Sequence, residues 1–140
     1  MKMISLFNQA GALRSYFPES TITRRGEREI TWIHSVIPGP LSDTYQLKLH
    51  YNHKEGAAVY VLTPQLKLAP GAVTLPHVYS LEEQKLCLWY PKNHEWNTGM
   101  YYVHTLIPWA CEWLLHYEIW AAGNGWHGGG IEHDNLKEKP

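Results

Sequence analysis

Two cysteines, nine histidines and thirteen carboxylates are the side chains of this 140-residue chain suited to covalent or acid–base chemistry. A thiolate takes up an acyl group reversibly and releases it to an amine, so Cys87 and Cys111 are the candidate nucleophiles. Cys87 lies in Leu86-Cys87-Leu88-Trp89-Tyr90-Pro91, after a stretch broken by Pro70, Gly71 and Pro76 where irregular backbone is expected. Flanked by two leucines, it also reads as a buried small hydrophobe. Cys111 falls on an apolar helical stripe, where packing accounts for it without chemistry. An unperturbed thiol has a pKa of about 8.5, so a reactive Cys87 needs help from a neighbour such as His77 or His94. For His77 the alternative role is a structural hydrogen bond that holds the loop before Cys87, and for His94 that of a solvated loop residue. A second constellation, His127, Glu132 and His133 with His104 or His116, would bind zinc in a metal-dependent hydrolase. Its spacing fits no standard zinc motif, and the three glycines after His127 suit a mobile loop better than rigid coordination. No metal is assigned.

These side chains need elements to position them. Leu6, Phe7, Ala10, Leu13 and Phe17 recur at helical spacing and Pro18 closes the run, which predicts an N-terminal helix. Residues 29–37, 45–51 and 57–62 are rich in β-branched and aromatic residues, and 45–51 alternates strictly between apolar and polar, as a strand with one buried face does. Short connectors imply an antiparallel meander. After Pro64 an irregular segment leads to Cys87. A second helix is predicted from near Pro108 to Gly123, with Cys111, Leu114, Leu115, Glu118 and Ala122 at helical spacing and Trp109, Trp113 and Trp120 broadening its apolar surface. Grouped strands between two helices make the fold class α+β.

Composition limits the remaining possibilities. With 44% hydrophobic residues, 18% charged residues and a net charge of −1, the chain reads as one globular domain, 1–133, followed by a flexible charged tail, 134–140. Basic residues form no aromatic-interleaved stripe, so nucleic acid is not an expected partner. Arg24, Arg25 and Arg28 cluster, but Glu27 and Glu29 interrupt them, and a solvated strand or turn accounts for them. There is no membrane-span-length apolar run and no signal-peptide pattern, and two cysteines without paired spacing suit a reducing compartment; a cytoplasmic protein is expected.

The order of these features resembles the ubiquitin-conjugating fold between Trp32 and Trp96. Gly39-Pro40 is followed by Tyr45 opening a strand, and Val59-Tyr60-Val61-Leu62-Thr63 runs into Pro64. His77 stands ten residues before Cys87, the interval between that family's histidine and its active cysteine, and Leu88-Trp89-Tyr90-Pro91 leads on to Trp96. Where the family has His-Pro-Asn, this chain has His77-Val78-Tyr79. Ile107-Pro108-Trp109, Glu112-Trp113-Leu114, Tyr117-Glu118 and Trp120, with Trp126 to Gly130 and Glu132-His133, resemble the minimal conjugating-enzyme-like proteins of bacterial antiphage (CBASS) operons, which lack the last helices of eukaryotic members.

The resemblance implies a transferase in which Cys87 carries the C-terminal glycine of a partner, a cGAS-like nucleotidyltransferase, as a thioester and passes it to an amine. It implies that His77 and Tyr79 shape the site, with Tyr79 offering a hydroxyl to the oxyanion, while Trp96 packs beneath them and no metal or nucleotide cofactor is needed. The alternative within the same fold is a non-catalytic module that binds a partner's C-terminal tail. The sequence singles out no acidic residue to receive the proton of the incoming amine.

Overall fold

Helix α1 (Leu6–Tyr16) starts where Ser5 Oγ accepts the Asn8 N–H at 3.0 Å. A second acceptor arrives from a distant turn: the Glu27 carboxylate takes the Leu6 N–H at 2.6 Å and the Phe7 N–H at 3.0 Å. Together they satisfy first-turn amides that have no partner within the helix, and they place negative charge at its positive end. Leu6, Ala10 and Leu13 form the buried stripe as their spacing predicts, whereas Phe7 is 65% exposed.

The computed structural model describes residues 2–126, which form an α+β unit. The expected boundary at residue 133 and the charged tail 134–140 lie outside the described residues. Strands β1 (Thr21–Arg25), β2 (Glu29–Val36), β3 (Tyr45–Asn52) and β4 (Gly56–Thr63) make the antiparallel meander, and β5 (Val78–Ser80) pairs with β6 (Lys85–Leu86). The sheet order is β1-β2-β3-β4-β6-β5, with β6 beside β4 and β5 at the edge. Three strands fall within a residue or so of their predicted spans. β1 is an addition: it holds Arg24 and Arg25 and ends at the turn that carries Glu27, so the basic cluster is a strand end and turn, with Arg25 paired to Glu29 at 3.7 Å on the surface.

Alternation in β3 is realised in full, with Tyr45, Leu47, Leu49 and Tyr51 buried. They join Ile30 and Trp32 of β2, Val59 and Val61 of β4 and the buried faces of both helices in one core. Helix α2 (Leu106–Ile119) has Pro108 in its first turn, where the missing N–H leaves no gap in the hydrogen-bond ladder. It passes into a wider turn, Trp120–Asn124, that ends at Gly123 with φ 93°, a conformation glycine adopts without penalty. Its buried stripe is Leu106, Ile107, Ala110, Trp113, Leu114 and Tyr117. The predicted stripe is therefore corrected in phase: Leu114 is inside, Cys111 is half-buried, Leu115 is 38% exposed and Ala122 is exposed.

Polar anchors tie these layers together. Glu118 accepts from Ser42 Oγ at 2.7 Å and Tyr45 Oη at 2.6 Å, which fastens α2 to the loop before β3. Gly39 in that loop leaves room for the approach, since a Cβ there would meet Leu115 Cδ2 at 2.9 Å. Gln9, 2% exposed, donates to the Met100 carbonyl at 2.9 Å and accepts the Tyr102 N–H at 3.1 Å, holding α1 against the segment that leads into α2.

Candidate active site

Cys87 follows directly on β6, and β6 is held by a buried glutamine in the turn before it. Gln84, 5% exposed with φ 53°, donates through Nε2 to the carbonyls of Val61 (2.9 Å) and Pro64 (3.1 Å) and accepts the Leu66 N–H at 2.6 Å. One side chain thus ties the end of β4, the irregular segment after it and the start of β6. The backbone continues the arrangement. The Cys87 N–H donates to the His77 carbonyl at 2.9 Å, and the same carbonyl accepts Trp113 Nε1–H of α2 at 3.1 Å. His77 reaches Cys87 through its main chain, while its buried ring packs against Trp126 at 5.1 Å.

The Trp89 carbonyl is where the polar side chains meet. Tyr79 Oη donates to it at 3.1 Å and Cys87 Sγ lies 3.7 Å from it. The Tyr79 hydroxyl is also near enough to Cys87 to donate to its thiolate in place of the Trp89 carbonyl. Burial pushes the Cys87 thiol above its ordinary range, the Tyr79 hydroxyl pulls it back down, and the nearby Glu95 carboxylate pushes it up again. Burial likewise raises Tyr79, so its hydroxyl stays protonated and remains a donor at neutral pH. Lys85 Nζ sits 5.4 Å from the centre of the Tyr79 ring.

The chain beyond Cys87 folds into a closed loop. Trp89 and Trp96 face each other at 5.4 Å, Glu95 Oε1 accepts the Tyr90 N–H at 3.2 Å, and Trp96 Nε1 donates to Thr105 Oγ1 at 3.2 Å. Trp96 also stacks on Tyr102 at 6.2 Å, which roots the loop in the core. His94 is exposed within this loop at φ 54°. The positive-φ non-glycine residues among the described residues are His77, Gln84 and His94, and all three flank Cys87. Left-handed backbone at side-chain-bearing residues is unfavourable and gathers where the surrounding structure holds a functional geometry.

Cys87, His77 and Tyr79 are therefore brought together, Trp96 stands one ring away behind Trp89, and His94 lies at the surface of the same loop. Sequence reasoning did not identify Gln84, Glu95 or the Trp89 carbonyl, and it read Trp113 as helix packing and as part of the family resemblance, not as a donor to the site. A lone glutamine or a main-chain oxygen has no sequence signature, but Glu95 beside a tryptophan in the segment after the cysteine is a weak one.

The arrangement offers a half-buried thiol, a neutral phenol donor beside it and a carboxylate close enough to affect its charge. Among the described residues no three His, Cys, Asp or Glu side chains gather as metal ligands. His104 is exposed, and His116 Nδ1 is buried without a hydrogen-bond partner. His127, Glu132 and His133 lie outside the described residues. No described helix is long and apolar enough to cross a membrane. The family model described as Type II CBASS E2 protein matches residues 9–134. No curated protein matches the chain.

Proposed function

Because this chain belongs to the family of Type II CBASS E2 proteins, we propose that it is a cytoplasmic conjugating transferase that carries an acyl group as a thioester on Cys87. The observation that carries the reading is the meeting of the Cys87 thiol and the Tyr79 hydroxyl at the Trp89 carbonyl, just past the end of β6. The donor is the activated C-terminal glycine of a partner from the same operon, a cGAS-like nucleotidyltransferase, bound as an extended tail.

In the first step the Cys87 sulfur attacks the glycyl carbonyl carbon of an activated ester, adenylate or thioester. The C–S bond forms, the leaving group departs with its electron pair, and the thiol proton passes to solvent. In the second step an amine attacks the thioester, the C–N bond forms, and Cys87 leaves as the thiolate. Both steps build negative charge on the carbonyl oxygen, which the Tyr79 hydroxyl stabilises by turning from the Trp89 carbonyl. The amine must shed a proton. We assign that proton to Glu95, an exposed carboxylate whose charge acts on the Cys87 thiol.

In this reading His77 is a positioning residue that works through its carbonyl, Trp96 supports the wall made by Trp89, and His94 supports the site through the left-handed turn that leads into Glu95. No metal or nucleotide cofactor enters the reaction.

A non-catalytic tail-binding module is the second reading, and the raised pKa of the Cys87 thiol favours it, since a protonated thiol is a poor nucleophile. Intact mass spectrometry separates the two. The wild type, Cys87→Ala and Cys111→Ala are each co-expressed with the operon's nucleotidyltransferase and analysed without reductant. The transferase reading expects a partner-sized adduct in the wild type and Cys111→Ala, absent from Cys87→Ala and released by hydroxylamine or thiols. Tight binding with no labile adduct in any of the three establishes the module instead.

A further inference from the structure

A pocket of about 450 Å³ opens between α1, the end of β1 and the segment before α2, formed by residues outside the Cys87 site. Its charged or ionisable lining is Arg14, Arg24 and His104, and no carboxylate lines it. Tyr16, Tyr101 and Phe7 supply aromatic surface; Tyr16 and Tyr101 meet the His104 ring edge-on at 5.4 and 6.1 Å. Arg24 lies 5.5 Å over the Phe7 ring and donates from Nη1 to the Gly26 carbonyl at 2.8 Å, which leaves most of its five-donor fork for other acceptors. Glu27, 3.8 Å from Arg24, is engaged by the first two amides of α1.

Gly11 is the second observation. Glycine inside a helix costs roughly 0.5–1 kcal/mol relative to alanine. Here it has no local reason to be present: φ is not positive, and a Cβ built on it would meet nothing within 4 Å. Gly11 is exposed and lines the pocket between the small residues Ala10 and Ala12, so a larger side chain at this position has open space to enter.

We propose that this pocket binds a small phosphorylated molecule with a flat ring, of the class of a nucleoside monophosphate. Two guanidinium groups supply positive charge and N–H donors of the kind that bind a phosphate monoester, His104 adds a ring nitrogen, and the aromatic side chains offer faces and edges to a base. The volume of about 450 Å³ is that of a small-molecule site, within the usual range of about 300–1,000 Å³. The site does not rest on the thioester reading. It also gives the basic cluster of β1 a use, because Arg24 belongs to it while Arg25 pairs with Glu29.

The test is a two-dimensional NMR titration of the full chain with AMP, adenosine and inorganic phosphate as separate probes. AMP is expected to shift the amides of Gly11, Arg14, Arg24 and His104, with adenosine and phosphate each about tenfold weaker or more. Arg14→Ala and Arg24→Ala are each expected to weaken AMP by about tenfold. Gly11→Leu, which puts a large side chain of good helix propensity into the pocket lining, is expected to abolish binding with an unchanged circular dichroism spectrum, while Gly11→Ala keeps binding and raises Tm. The proposal is overturned if AMP does not bind at millimolar concentration, if phosphate alone binds as tightly as AMP, if Gly11→Leu still binds, or if a glutamate-rich peptide occupies the pocket more tightly than AMP.

Discussion

At Cys87 three influences compete: desolvation raises the thiol pKa, the Tyr79 hydroxyl lowers it, and Glu95 raises it. Burial is the largest, so the folded thiol titrates above its ordinary range, and its alkylation by iodoacetamide is expected to keep climbing at pH values where a model thiol has levelled off. Tyr79→Phe removes the donor that favours the thiolate, so its curve moves to higher pH and alkylation at a fixed pH below the pKa slows by about two- to tenfold. Glu95→Gln removes a like charge and moves the curve the other way, while slowing transfer from a preformed thioester to lysine. Site-resolved mass spectrometry separates Cys87 from Cys111, whose thiol burial also raises. A Tyr79→Phe curve that stays in place or falls to lower pH shows that the hydroxyl does not serve the thiolate. At this scale the ten-residue interval from His77 to Cys87 made the pair legible, but the nature of the link was not. The residue at 77 acts on Cys87 by a main-chain oxygen, and an interval of residue types carries no information about which atom does the work.

Among the elements, β6 has only two residues, too few to hold Cys87 by strand pairing alone. Gln84 provides the hold, with its amide bonded to the end of β4 at Val61 and to the first residues of the irregular segment, Pro64 and Leu66. Truncating it leaves the buried Leu66 N–H and the Val61 carbonyl short of a partner, each such loss costing about 1–3 kcal/mol. Gln84→Ala is therefore expected to lower unfolding stability in urea by at least that amount and to alter Cys87 alkylation at fixed pH. A loss no larger than that of an exposed substitution such as Gln65→Ala shows that the anchor is dispensable. β3 was readable from its strict alternation, and β2 and β4 from β-branched and aromatic residues bounded by turn formers. β1, β5 and β6 were not, because β1 is almost wholly exposed and carries no alternation of burial, and the other two are shorter than one period of evidence. The second helix was legible in extent but not in phase: with tryptophans on several sides its apolar surface is broad, and only the packing partners select which residues turn inward.

Across the molecule, stability is unevenly distributed. The core joins β2, β3, β4 and both helices, whereas β1 is exposed at one edge and β5 at the other. Amide hydrogen exchange is expected to be slowest in β3 and the middle of α2, and fastest in β1 and in residues 67–74, where exposed backbone has few partners. Protection in β5 and β6 equal to that of β3 would mean that the active-site hairpin unfolds only with the whole domain; protection well below it would mean that the hairpin opens separately. Residue order by itself determined the α+β class and the succession of helix, meander and helix, with Cys87 in the segment between the meander and the second helix; that a short hairpin, β5 and β6, leads into Cys87 was not legible. The legible properties follow from local periodicity and from turn-forming residues, which act within a few positions along the chain. Tertiary structure alone decided that Glu27 caps a helix some twenty residues away, that Trp113 donates to the His77 carbonyl and that Tyr79 and Cys87 meet at Trp89. Each of those contacts joins side chains to groups brought near by packing, and hydrogen bonds of that kind depend on distances in space that spacing along the sequence does not encode.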